Sequence, residues 1–115
     1  MANKVFIASK PTSYGGRQYM DFTPAERYGE LVEIMTSNVN ITTAPEIVAK
    51  ELEERINELQ PQPGDYLILT GNPIVLALTV LFWAEHTSQM NFLQWDRTIK
   101  GYKLVSLDLD LPNDS

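Results

Sequence analysis

Two stretches hold residue types able to meet a small ligand. The first is KPTSYGGRQY, residues 10–19. Arg17 can fork onto a phosphate or carboxylate, and Lys10 adds a second positive charge. Tyr14 and Tyr19 offer ring faces to a base or sugar. Gly15 and Gly16 let backbone approach closely. This mix suits a planar, anionic, nucleotide-like ligand. The plainer alternative is a loop whose tyrosines pack on the body. The second stretch is the corner Thr70-Gly71-Asn72 inside DYLILTGNPIVLAL, residues 65–78. A strand that turns through glycine into a helix can hold an anion on the first helical amides. Here there is one glycine and no following Lys-Ser/Thr. Pro73 has no N–H, and Asn72 is a natural cap that uses the next donors itself. The corner therefore reads as the floor of a pocket whose working groups lie on the loop around Arg17. The expected ligand contacts are Lys10, Tyr14, Gly15, Arg17, Tyr19, Thr70, Gly71 and Asn72.

Other candidates have simpler readings. DRTIKGYK, residues 96–103, clusters Arg97, Lys100 and Lys103 about a turn. Such charges commonly keep an edge strand from pairing. The single histidine, His86, falls at the end of a predicted helix, where the macrodipole favours a cation. Asp108 and Asp110 alternate on one strand, a weak cation signal without further ligands. Asp65, Glu85 and Asp96 would serve as bases only if a pocket placed them. There is no cysteine, which excludes thiolate chemistry and disulfides. The chain reads as non-catalytic, with no metal and no cofactor.

The elements that must position these groups follow from pattern. Lys4 to Ser9 reads as a strand and residues 10–24 as a long loop, with a helical turn over Ala25–Tyr28. Glu30–Thr36 is a second strand, with Val39–Ile41 as a short return. Thr43-Ala-Pro-Glu46 fits a capping box for a helix to Leu59. Val48, Leu52, Ile56 and Leu59 make its apolar stripe, and Glu46–Lys50 and Glu51–Arg55 are spaced as ion pairs. Tyr66–Thr70 is a strand apolar on both faces, hence central. The helix 72–86 is apolar nearly all round, which predicts burial on every side. Met90–Trp95 and Tyr102–Leu109 complete a terminal hairpin. The expected fold is α/β: a small mixed sheet of four to six strands with two main helices, in the order β-β-α-β-α-β-β. Strand 66–70, helix 72–86 and strand 90–95 form a parallel crossover. Residues 1–110 make one domain and 111–115 a polar tail.

The 115 residues carry a net charge of −6. Non-specific nucleic-acid binding needs clustered Lys and Arg, so that balance argues against it. The longest apolar run is too short to cross a bilayer and the start lacks a signal-peptide pattern. A soluble intracellular protein is expected. The sticky helix 72–86 predicts a homo-dimer or higher homo-oligomer, unless the loop 10–24 covers it.

The blocks VFIAS, AERYGELVEI, DYLILTGNPIVLAL and MNFLQWDR…GYKLV together resemble a family of small proteins of tailed bacteriophages. The resemblance spans roughly residues 4–107 and rests on block order, not on a catalytic motif, so it brings no site residues with it. It implies host takeover, defence evasion or a virion accessory role, and so a place in the host cytoplasm, with the virion as the alternative. The function expected is a non-catalytic phage accessory protein that binds a small nucleotide-like anion or a host protein. The alternatives are a virion structural or assembly protein and a nucleotide-processing enzyme.

Overall fold

The structure is a computed structural model and describes residues 3–8, 22–35 and 41–109. Strand β1 (Lys4–Ile7), a 3-10 turn (Thr23–Arg27), strand β2 (Glu30–Glu33), helix α1 (Pro45–Leu59), strand β3 (Tyr66–Ile68), helix α2 (Pro73–Trp83), strand β4 (Gln89–Asp96) and strand β5 (Gly101–Asp108) follow in that order. The expected α/β order of β-β-α-β-α-β-β is the one observed. All five strands form one sheet, in the order β2-β1-β3-β4-β5. β1 pairs parallel with both β2 and β3, and β3 pairs parallel with β4. β5 closes the sheet as an antiparallel hairpin partner of β4. The predicted return strand over 39–41 falls mostly outside the described residues.

Alternation along the central strands divides the core in two. Phe6, Leu67 and Met90 face the side that carries both helices and pack with Val48, Leu52 and Ile56 of α1 and Val75 and Trp83 of α2. Trp83 meets Phe6 edge to face, with ring centroids 5.0 Å apart. Val5, Ile7, Ile68 and Leu93 face the other side, where Phe22 and Ala25 of the 3-10 segment cover them with Tyr102. β1 is thus buried on both faces, as parallel strands between crossovers are.

Two local expectations need correction. Helix α1 starts at Pro45, with Ala44 at its cap and no side-chain cap bond. The cap therefore lies one residue after the expected Thr43. Proline, with φ preset and no donor to satisfy, takes the first helical position itself. Helix α2 is also not buried all round. Val75, Thr79 and Trp83 are buried, and the Thr79 hydroxyl donates to the Val75 carbonyl at 2.7 Å. Ile74 and Leu81 are 54% and 59% exposed. One face of α2 lies on the sheet and one flank meets α1. The side turned away from the sheet, where Ile74 and Leu81 lie, is bare, while Leu76, Leu78, Val80 and Phe82 beside the buried stripe are half-buried.

The amino edge of the sheet is stitched by polar groups. Asp65 is buried, and its two carboxylate oxygens accept from the backbone N–H of Lys4 at 2.9 Å and of Gln62 at 2.8 Å. Asn91 donates to the carbonyls of Pro63 and Asp65 and accepts from the Ser106 hydroxyl. Asp65 thus holds the entries to β1 and β3 together. Hydrogen bonds to a charged acceptor are worth about 1.5–3 kcal/mol each, so Asp65→Ala is expected to lower the unfolding free energy by about 2–4 kcal/mol. Urea denaturation measures it.

Candidate functional site

At the opposite edge the connections diverge. From Ala8, at the carboxyl end of β1, the chain leaves for β2 on one side, and the described part of that connection lies on the 3-10 face. From Thr70, just beyond β3, it leaves for β4 on the other side through α2, on the helix face. Adjacent strands whose connections part in this way make a topological switch point, where open α/β sheets form a crevice. Thr70, Gly71 and Asn72 lie on its rim.

The corner itself is built as predicted. Gly71 has φ 99°, a value that only glycine adopts without strain. Thr70 is buried, and its N–H donates to the Ile68 carbonyl at 3.0 Å. The Asn72 side-chain oxygen accepts from the amides of Ile74 at 2.8 Å and Val75 at 3.4 Å. The Leu76 amide goes to the Asn72 carbonyl. With Pro73 lacking a donor, the first turn of α2 has no amide left for an anion. Charge at this edge must come from side chains.

The topology supplies a source. β4 runs parallel to β3, so its carboxyl end and the turn after it, residues 97–100, rise from the same edge as Thr70–Asn72. The basic cluster that the sequence sets apart, 25 residues downstream, belongs to this rim. Asp96 organises the turn: one oxygen accepts from the Thr98 amide at 2.8 Å, and the other pairs with the Lys103 ammonium at 2.8 Å. Lys100 closes the turn with φ 50°. Arg97 and Lys100 are exposed, without an ion-pair partner among the described residues. Only the strand order reveals this convergence, since nothing in the local pattern says on which edge a hairpin turn falls.

The other predicted groups divide plainly. Lys10, Tyr14, Gly15, Arg17 and Tyr19 lie outside the described residues, as does Asp110. Their segment, 9–21, leaves from Ala8 at the carboxyl edge. Asp65 sits at the far edge with both oxygens committed to backbone. His86 is exposed and its Nε2 lies 2.8 Å from the Asn57 side-chain oxygen, tying the turn after α2 to α1. Arg55 departs from a simple helix pair: its guanidinium donates to the carbonyls of Ile34 and Glu33 and pairs with Glu58. No group of three or more metal-ligating side chains occurs among the described residues, and no helix there is long and apolar enough to cross a membrane.

Two outcomes check this geometry. Asn72→Ala frees the amides of Ile74 and Val75 and is expected to cost about 1 kcal/mol of stability, read by chemical denaturation. The hydrogen bond from Lys103 and that from Thr98 hold the Asp96 carboxyl below the usual carboxylate range, and Asp96 in turn raises Lys103. The contribution of Asp96 is therefore present above the ordinary carboxylate pKa and is lost as pH falls through its lowered value. A carboxyl-detected NMR titration should show Asp96 titrating low in the native chain and moving up toward the ordinary range in Lys103→Met.

Comparison with curated proteins and with solved structures returns no match. A family model described as phage Pam3 gp32-like protein matches residues 3–109, which takes in every described element. The match agrees with the phage resemblance read from the order of sequence blocks, and the chain belongs to the phage Pam3 gp32-like protein family.

Proposed function

We propose that this phage-family protein is a non-catalytic accessory protein that binds a small nucleotide-like anion at the carboxyl edge of its sheet, acting in the host cytoplasm in host takeover or defence evasion. The observation that carries this reading is the switch point between β1 and β3, with the basic turn 97–100 on the same rim. The chain has nine Lys and Arg residues. Arg97, Lys100 and Lys103 stand at or just past the carboxyl end of β4. In a chain of net charge −6, such a basic turn favours an anionic partner. Lys103 is committed to Asp96. Arg17, Lys10, Arg97 and Lys100 are the proposed charge contacts, Tyr14 and Tyr19 the stacking groups, and Gly15 and Thr70–Asn72 the backbone floor. A host protein presenting an acidic surface to the same rim is the second form of the reading. Binding without turnover fits the structural use of Asp65 and His86.

Thermal melting with a panel of cyclic and linear nucleotides tests the proposal. A ligand at ~100 times its Kd adds about 2.7 kcal/mol, a rise in Tm of roughly 10 °C for a chain of this size. Arg17→Ala and the double change Arg97→Ala/Lys100→Ala should remove the rise while leaving the ligand-free Tm in place. No rise with any nucleotide would overturn the small-ligand form. Turnover of a nucleotide, lost in Arg17→Ala with folding intact, would replace binding by an enzymatic role. Recovery of the chain in purified particles would place it in the virion instead.

A further inference from the structure

The two edges of the sheet are built differently. β2 closes one edge with four residues, begins and ends in glutamate, and has the carbonyls of Glu33 and Ile34 taken up by Arg55. Short, charged edge strands resist pairing with another chain. β5 forms the other edge with eight residues. Its central run, Leu104-Val105-Ser106-Leu107, carries no charge, and Leu104, Val105 and Leu107 are 46%, 46% and 38% exposed. Of the two charges that flank this run, Lys103 is drawn to Asp96 of its own chain, and Asp108 ends the strand. The Leu109 N–H donates to the Ser88 carbonyl at 2.7 Å. Antiparallel alternation then turns the backbone groups of the odd-numbered residues of β5 toward β4, and those of Leu104 and Ser106 outward. Val105 and Leu107 stand opposite Phe92 and Met90, on the helix face, beyond the reach of a third helix.

We infer that β5 is a self-association edge, to which a second copy of this chain adds its own β5 antiparallel, about a two-fold axis normal to the sheet. Such an axis keeps each face on its own side, so facing residues are both odd or both even. The register centred on Ser106 sets Val105 against the partner's Leu107 and Leu107 against the partner's Val105, in the close, non-hydrogen-bonded positions. Leu104 and Ser106 then exchange the backbone bonds they turn outward. Lys103 meets the partner's Leu109, and Leu104 the partner's Asp108, so no like charges oppose. A register centred on Val105 would instead set Lys103 against the partner's Leu107. One strand pair covers less than the ~800 Å² per partner of a standard interface, which makes the association weak, with a Kd of order 1–100 µM. This edge offers a second copy both hydrogen bonds and apolar contact, where the bare flank of α2 offers only Ile74 and Leu81 as large exposed groups. It is independent of what binds at the carboxyl edge.

Sedimentation velocity from about 1 µM to about 500 µM tests it across that range of Kd. The expected result is a concentration-dependent monomer–dimer equilibrium, weakened at least ~10-fold by Val105→Lys, whose side chain is exposed. Ser106→Pro should do the same, because it deletes an outward N–H and, apart from the hydroxyl bond to Asn91, no bond to β4. Leu81→Lys, on α2, should leave the dimer unchanged, and circular dichroism verifies the fold of each variant. A monomer throughout, a dimer that survives both Val105→Lys and Ser106→Pro, or one lost with Leu81→Lys would overturn the inference.

Discussion

The arrangement depends on one buried strand. Val5, Phe6, Ile7 and Ala8 are 0–2% exposed, and β1 is flanked by parallel neighbours on both sides. Parallel neighbours cannot be joined by tight turns, so each connection must cross a face of the sheet. With β1 inside, the chain leaves it toward β2 across one face and reaches β3 and β4 across the other. The switch point, the two cores and the bare helix face of β5 all follow from that placement. The anchoring of the Lys4 amide by Asp65 belongs to the same constraint, because it fixes where β1 starts relative to β3.

The two ends of the sheet have therefore become different kinds of surface. The amino edge spends its polar groups on itself, through Asp65, Asn91 and Ser106. The carboxyl edge directs Asn72 inward to the helix and leaves Arg97 and Lys100 to solvent. In an acidic protein, two exposed cations in one turn at this edge give an anionic partner a place of favourable charge. The proposed anionic partner rests on that contrast.

Much of this was legible in residues. The glycine turn, the asparagine cap and the proline after it were predicted from their types alone, and the structure has the Asn72 side chain accepting from two amides. The apolar run Tyr66–Thr70 announced a central strand, and the hairpin announced an edge. The start of α1 lies one residue past Thr43, because the rigid ring of Pro45 takes the first helical position. The apolar sequence of α2 overstates its burial. Apolar composition reports what a helix could bury, while the neighbours available depend on how many crossovers the sheet contains. Strand order is a long-range property, so the shared edge of Thr70–Asn72 and the turn 97–100 has no local signature.

The central claim is that the carboxyl edge of the sheet is the binding surface. An amide-resolved NMR titration of the native chain with a nucleoside triphosphate tests it most directly. The account predicts saturable shifts at Ala8, Thr70, Gly71, Asn72, Arg97 and Lys100, with Asn3, Gly64 and Ser88 at the amino edge unmoved. Shifts confined to the amino edge, or none at millimolar nucleotide, would contradict it.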